Sequence, residues 1–336
     1  MNILFTCAGR RTYLLKYFKD NLSPDDLIVA TDMQLSAPAL QAADIKIKVP
    51  SVYDSQYIAK TLEICKNYQI TALISLNDLE LPILAINKPK FQALGVKVIV
   101  SDPEVIDISF DKYKTVQWVE SIGLVAPKTY LSLEDAKKAL ASGDISFPLF
   151  LKPRWGSGSI GLETVDDMEE LDIYYKILEK KIKKSILATA SVGDEFILIQ
   201  EKLTGKEYGL DVMNDLEGNN KAVSVKQKLA MRAGETDKAI TVDDPMIRTV
   251  GEAIGRNLKH IGNLDVDIMQ RANGDYCVLE LNPRFGGGFP FSYEAGVNMP
   301  KAIISWLKGD AVDGKILQPT YGKAFAKNDY LVEVNI

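Results

Sequence analysis

The sequence is poor in the residues that most often advertise a chemistry. It has one histidine, His260, and three cysteines, Cys7, Cys65 and Cys277, which stand far apart and form no CxxC pair. No multi-histidine metal centre, zinc cluster or disulfide framework can be built from these. Such cysteine use fits a reducing compartment, so a cytoplasmic location is expected. His260 is expected at the surface or at a helix end rather than as a general base. No apolar run approaches the ~20 residues of a membrane span. Met1 to Arg11 lacks the apolar core of an export signal, so no membrane partner is expected. Basic residues are not in surplus: 40 Lys+Arg face 45 Asp+Glu, a formal net charge of −5. That balance argues against a nucleic-acid partner.

What is present is ordinary globular composition, 46% hydrophobic and 25% charged, on a chain of 336 residues, long enough for two or three domains and an unstapled core. The first ~108 residues alternate short apolar strands (Asn2–Cys7, Leu27–Ala30, Ala72–Leu76, Lys97–Val100) with amphipathic helices (Thr12–Asn21, Ser55–Tyr68, Glu80–Leu94). This pattern predicts a doubly wound parallel α/β domain over 1–108, with ligands at the carboxyl ends of its strands. Beyond it, helices are expected at Asp111–Ile122, Leu133–Leu140, Glu169–Lys184, Pro245–His260 and Met299–Leu307, with an antiparallel sheet from Tyr208 to Val242. No internal repeat or low-complexity tract interrupts the chain.

The segment from Leu264 to Asn282 carries the most chemistry. Asn273-Gly274 is a strong hairpin signal, because a two-residue type I′ turn needs positive φ at both positions. Such a turn pairs Ala272 with Asp275, and therefore Asp267 with Glu280 and Asp265 with Asn282. Side chains alternate along a strand, so all four project from one face. Facing like charges destabilise a sheet unless something neutralises them. Carboxylates with an amide oxygen suit Mg²⁺ or Mn²⁺, held together with substrate phosphates. A solvent-facing polar ribbon is the plain alternative.

A second signal follows the strand Phe147–Leu151. Lys152 is succeeded by a GxGxxG at Gly156, Gly158 and Gly161, with Ser157 inside it. A dinucleotide fingerprint opens into a helix, whereas here Leu162–Val165 reads as a strand. The segment is therefore expected to be a strand–loop–strand flap, whose glycines let main-chain N–H groups reach phosphate oxygens. Lys152 at its root and Lys112 at the start of the Asp111 helix are candidate phosphate contacts. Taken singly, the loop reads equally as a hairpin tip and each lysine as a surface residue.

In their order these motifs resemble the ATP-grasp superfamily, and more narrowly the synthetase halves of the carbamoyl-phosphate synthase large chain. The similarity runs through Asp111-Lys112 with Gly123, Phe150–Pro153 with the glycine flap, Gln200–Tyr208, and Glu280–Arg284 with Asp267 upstream. It covers about residues 109–307, and residues 1–108 resemble the α/β domain that precedes ATP-grasp units. The resemblance implies a two-lobed α+β ATP-grasp domain over 109–310, with a flap lobe at about 125–200 and a carboxyl-terminal segment, 311–336, packed on it. It implies that Glu201 and the Leu203 main chain read adenine and Glu207 the ribose. Lys112, Lys152 and the flap would meet phosphates, Asp267, Glu280 and Asn282 would hold Mg²⁺, and Arg284 would stabilise the transferring phosphoryl group.

The implied activity is an ADP-forming ligase that phosphorylates a carboxylate and joins the acyl phosphate to an amine or another nucleophile. Its partners would be ATP, a small carboxylate and an amine-type acceptor; a homodimer follows from family habit alone. Arg232, in the stretch Lys228–Thr236, is the candidate clamp for the acyl substrate's carboxylate, against a plain surface arginine. Gly286-Gly287-Gly288 would permit close substrate approach. The chain has one such unit, no glutaminase part and no allosteric tail, which favours a stand-alone ligase over a bicarbonate- and ammonia-using enzyme. A non-catalytic ATP-binding subunit is disfavoured by the presence of Arg284 and all three metal-ligand candidates. A dehydrogenase using Asp32 is disfavoured because Cys7–Arg11 lacks spaced glycines.

Overall fold

The computed structural model describes residues 1–156, 161–185 and 195–334. Five strands near the amino terminus, β1 (Asn2–Thr6), β2 (Ile28–Asp32), β3 (Ile45–Lys48), β4 (Ile70–Ser75) and β5 (Lys97–Val98), form a parallel sheet in the order β3-β2-β1-β4-β5. Their side chains alternate between two cores. Ile3, Phe5, Ile28 and Ala30 meet Leu14, Leu15 and Phe18 of α1 (Thr12–Lys19). Leu4, Val29 and Leu73 meet Ile64 of α2 (Tyr57–Asn67) and Leu84 of α3 (Leu81–Gln92). Burial on both faces explains why these strands read as near-continuous apolar runs. The strand order reverses between β1 and β4, and the crevice at such a switch point is where ligands of open α/β sheets bind.

Helix α4 (Pro103–Phe110) runs across residue 108 and is followed at once by α5 (Lys112–Ser121). Nothing in the sequence reading anticipates α4: its PEVIDISF stretch is rich in strand formers, although Asp102, Pro103 and Glu104 together mark a helix start. Asp111 between the two helices caps α5, accepting from the Tyr113 and Lys114 N–H groups.

The next lobe is an antiparallel sheet, order β6-β9-β7-β8, made by β6 (Thr129–Tyr130), β7 (Leu149–Pro153), β8 (Glu163–Val165) and β9 (Ile197–Glu201). Strands β7 and β8 flank the glycine loop as an antiparallel pair, Leu149 opposite Val165 and Leu151 opposite Glu163. Leu149 and Leu151 point into a core with Ala136 of α6 (Leu133–Ser142) and Leu171 and Leu178 of α7 (Met168–Lys183). The alternate residues Phe150 and Lys152 face the other way, into a cavity.

The large sheet is antiparallel, in the order β14-β13-β10-β11-β12-β15. Its strands are β10 (Lys206–Asn214), β11 (Asn220–Arg232), β12 (Glu235–Thr241), β13 (Asn263–Gln270), β14 (Tyr276–Asn282) and β15 (Ala324–Ala326). Helix α8 (Pro245–Leu258) covers one face, where Leu210, Val212, Val223, Leu264 and Val266 pack on Ile247 and Ile254. The opposite face carries the charged residues of the site. Two further helices, α9 (Phe289–Glu294) and α10 (Met299–Lys308), join the amino-terminal core. There Phe5, Phe18, Phe285 and Phe289 make successive edge-to-face contacts at 5.1, 5.9 and 4.7 Å. One apolar core thus spans the parallel sheet and the chain that follows β14. Near the carboxyl terminus, β15 pairs with β12 and covers what would be an open sheet edge.

Candidate functional site

Asp267 lies opposite Glu280 and Asp265 opposite Asn282, the register expected from sequence. The route to that register differs from the expected one. The hairpin turns through three residues, Ala272-Asn273-Gly274, with Arg271 N–H bonded to Asp275 O at 2.8 Å and Gly274 at φ 92°. Ala272 does not pair with Asp275, and the strands leave the turn one residue out of step. A bulge at Leu279, between the pairs Ile268–Val278 and Asp267–Glu280, restores the alignment. All four side chains line one polar chamber.

Each facing carboxylate has acquired a cation. Lys228 Nζ, on β11, sits 2.6 Å from Asp267 and 2.7 Å from Glu207. Lys112 Nζ lies 3.2 Å from Glu280. Arg284 spans 3.1 Å to Asp265 and 2.9 Å to Asp78, the latter in the turn after β4. Burial, reinforced by Asp265 and Glu280, pushes Asp267 up to about 6 even though Lys228 opposes it. Burial works against the Lys228 ammonium, but Asp267 and Glu207 outweigh it and hold its pKa above the ordinary value. Sequence reasoning included Lys228 in a stretch expected to line the acyl site but gave it no role, and it missed Asp78. The available signal for Lys228 was a Lys-Gln-Lys stretch within a strand, where alternation sends both lysines to one face. Lys226, its companion, is fully buried against Asp211 at 2.6 Å.

The expected nucleotide residues converge on a cavity of about 400 Å³. Lys112, Lys152, Gly156, Glu201, Leu203 and Glu207 line it, with Asp267 and Glu280 at the wall shared with the polar chamber. Burial, then repulsion from Lys112, lowers Lys152 to about 8. Lys112 is fixed from both sides: its ammonium reaches the Gly156 carbonyl and its main-chain N–H donates to Arg154 O at 3.1 Å. Arg154 pairs with Asp111 at 2.8 Å, which ties the root of the flap to the start of α5. Gly161, at φ 72°, packs on Pro153 and Leu178 and does not line the cavity. Ser157 and Gly158 lie outside the described residues. The Glu201 carboxylate is already engaged by the Lys128 N–H at 2.7 Å and by Arg271.

Two expectations need correction. Arg232 does not face the chamber: it is half-exposed at the end of β11 and pairs with Asp237 and Asp329. The residues of its stretch that do face inward are Lys228, Met231, Gly234, Glu235 and Thr236. His260 does stand at a helix end, just past α8 and its cap residue Lys259, but it is not at the surface. It is fully buried, its Nε2 lies 3.0 Å from Val212 O, and burial pushes its pKa down to about 4.

The three glycines after Arg284 each yield space to a different charged side chain. A Cβ on Gly286 would fall 2.1 Å from the Asp265 carboxyl carbon, one on Gly287 3.0 Å from that of Glu235, and one on Gly288 2.8 Å from Lys226 Cε. The run therefore does more than form a turn: it lets the loop lie directly on charges from three strands.

Asp267, Glu280 and Asn282 form a hard oxygen set that fits a Mg²⁺ ion still carrying water and phosphate ligands. Among the described residues no group of three or more His, Cys, Asp or Glu is gathered as a self-sufficient metal cage. Two carboxylates and an amide, with lysines balancing the charge, match a site that needs phosphate oxygens to complete it.

Residues 194–328 match a family model described as ATP-grasp in the biosynthetic pathway with Ter operon. That stretch is thus similar to part of an ATP-grasp domain. Ahead of it, residues 3–99 match the model of the PylC-like N-terminal domain. The chain is 29% identical over 237 residues to a carbamoyl phosphate synthase large chain from Kineococcus radiotolerans, an alignment covering 66% of this chain and 20% of that protein. It thus spans about a fifth of the length of that relative. Among solved structures, the biotin carboxylase domain of Hydrogenobacter thermophilus 2-oxoglutarate carboxylase, crystallised with MgADP, ADP and bicarbonate, superposes with a TM-score of 0.74. It shares 18% identity, over 93% of this chain and 70% of that one. An L-amino acid ligase from Bacillus licheniformis gives 0.71 at 16% identity, over 96% and 78% of the two chains. These structural likenesses show the fold alone: a parallel α/β domain followed by two antiparallel sheets. No helix among the described residues is long and apolar enough to cross a membrane.

Proposed function

We propose that this protein is an ATP- and Mg²⁺-dependent, ADP-forming ligase that activates a small carboxylate and joins it to an amine. The observation that carries the reading is the shared wall. Asp267 and Glu280 stand where a nucleotide-sized cavity meets a polar chamber, with Lys112 and Lys152 on the first side and Arg284 on the second.

ATP binds with its base towards Leu203 and Glu201 and its ribose at Glu207, and with its phosphates under the flap between Lys112 and Lys152. Because the Glu201 carboxylate is held by Lys128 and Arg271, it orders the wall of the base pocket rather than offering a free acceptor. Asp267, Glu280 and Asn282 would hold Mg²⁺, which would neutralise charge on the phosphate oxygens. Lys228 exchanges its bond to Asp267 for one to phosphate or substrate oxygen when these fill the site. A carboxylate oxygen in the chamber attacks the γ-phosphorus, the bond to the β-phosphate oxygen breaks, and ADP leaves. Arg284, held on two sides by Asp78 and Asp265, is aimed at the oxygens of the group in transit. The amine next attacks the acyl carbon, the carbon–oxygen bond to phosphate breaks, and the nitrogen sheds a proton. The only histidine is buried elsewhere, so the chemistry rests on positioning and charge rather than imidazole catalysis.

Hydroxylamine in place of the amine traps the acyl phosphate as a hydroxamate, and a carboxylate labelled with oxygen-18 passes one label to the released phosphate. AMP and pyrophosphate as products, or unlabelled phosphate, would refute the mechanism. The sequence similarity to a carbamoyl phosphate synthase segment supports a second reading, in which bicarbonate and ammonia are the substrates. ATP turnover that requires bicarbonate, with no carboxylate able to replace it, would favour that reading.

A further inference from the structure

The chamber beyond the acidic hairpin holds a cationic group that phosphoryl transfer does not use. Arg11 lies between β1 and α1, at the N-cap position of the helix, so it stands at the switch point of the parallel sheet. Its Nη1 donates to Leu76 O at 2.8 Å, just past β4, and to Phe285 O at 2.9 Å, in the loop after Arg284. These two bonds fix the guanidinium plane. A guanidinium has five N–H donors. Those on Nε and Nη2 have no hydrogen-bond partner among the described residues, and Arg11 forms part of the chamber wall. Helix α1 adds to the same sign of charge, since its first turn has no acidic residue and no side-chain cap. Glu235 is the chamber carboxylate whose charge reaches Arg11, yet it is bonded to Lys327 at 2.9 Å. Tyr13 lies within the fields of Arg11, Glu235, Arg284 and Asp265, which brings these four groups together around one corner.

Position separates Arg11 from the reacting end. It lines the chamber but not the nucleotide cavity, and the two spaces share Glu207, Met231, Gly234, Asp267 and Glu280. Phosphoryl transfer belongs at that common wall. Arg11 therefore meets another part of whatever fills the chamber, a space of about 220 Å³ lined largely by charged and polar groups. A planar fork with unused donors matches a two-oxygen anion, and it offers nothing to an ammonium or an alkyl chain.

We propose that Arg11 is a specificity-determining residue that binds a second carboxylate, one that is never phosphorylated, on a small substrate in the chamber. This rests on the ligase reading above. The second carboxylate belongs either to a dicarboxylic acyl donor or to an amino-acid acceptor, and the two sources separate experimentally.

The experiment uses the full chain with MgATP. Hydroxamate formation is compared for acetate, propionate, succinate, glutarate and glutamate, and ligation for amino acids against their carboxamides. Arg11→Gln and Arg11→Lys are assayed beside the parent, with thermal melting and ATP titration reporting fold and nucleotide binding. The expected result is a strict preference for substrates with the extra carboxylate. For these, KM rises about 10- to 100-fold in Arg11→Gln, far more than kcat falls, with partial recovery in Arg11→Lys and unchanged ATP affinity. Dependence seen with hydroxylamine assigns the carboxylate to the donor; dependence seen only in ligation assigns it to the acceptor. Equal KM in parent and Arg11→Gln, or equal turnover of substrates lacking a second carboxylate, overturns the assignment and leaves the ligase reading standing. No turnover of any donor overturns both.

Discussion

The only histidine offers a measurement free of overlap. His260 is fully buried and its pKa is lowered from 6.5 to about 4 by burial. In the unfolded chain it titrates near its ordinary value. Between these two values the unfolded state binds a proton that the folded state refuses, so stability is intact above about pH 6.5 and is lost as pH falls towards 4. One pKa unit corresponds to about 1.4 kcal/mol. The full loss is therefore about 3 kcal/mol, of which about 2 kcal/mol has gone by pH 5. Asp267, raised to about 6, acts with the opposite sign in the same window, because it takes up its proton more readily when folded. The measurement is accordingly the difference between the parent and His260→Gln, whose amide can still donate to Val212 O but does not titrate. Urea unfolding at pH 7.5 and at pH 5 should show the parent losing about 2 kcal/mol relative to the variant. The lone imidazole resonance in a proton NMR titration reports the folded pKa directly. A midpoint near 6.5, or a parent–variant difference that ignores pH, would refute the burial argument.

Lys228→Met strips the ammonium from between Asp267 and Glu207. It should lower apo stability by about 2 to 3 kcal/mol, below the value for a fully buried pair because the two carboxylates are partly solvated; a thermal melt that does not move counts against it. Lys152, lowered to about 8, should deprotonate in the free protein as pH rises past that value and regain its proton when phosphate binds. ATP binding near pH 8.5 should then take up protons in calorimetry run in buffers of different ionisation heat, and Lys152→Met should abolish the uptake. Gly286→Ala forces Asp265 off Arg284 and should reduce kcat more than ATP affinity, with a stability cost of about 1 to 3 kcal/mol. Wild-type kcat in that variant would mean that the Arg284–Asp265 contact has no part in turnover.

The features legible in the sequence were those set by short-range rules. Short apolar runs separated by amphipathic helices made the parallel sheet readable, and Leu162–Val165 after the glycines identified a flap instead of a nucleotide-binding turn. The facing of Asp267 and Glu280 was anticipated through a two-residue turn that is absent; the three-residue turn and the Leu279 bulge offset each other. A bulge leaves no clear mark when the extra residue is a leucine. What local rules could not supply was pairing between distant segments. Lys228 reaches Asp267 across β10, and Asp78 reaches Arg284 from the parallel sheet. Arg232 was misplaced because its true partners, Asp237 and Asp329, depend on how the chain closes near its carboxyl end. His260 follows α8 and looks terminal in sequence, but the chain turns inward there with Lys259 at φ 54°.

The double hold on Arg284 bears on modularity. A fragment beginning at α5 would keep the hairpin, the strands of the flap and every metal-ligand candidate, yet the Arg284 guanidinium would lose one of its two anchors and the edge-to-face aromatic cluster beneath its loop would be laid bare to water. Transplanting this unit behind a foreign amino-terminal module would therefore require that module to present an acid in the turn following its fourth strand.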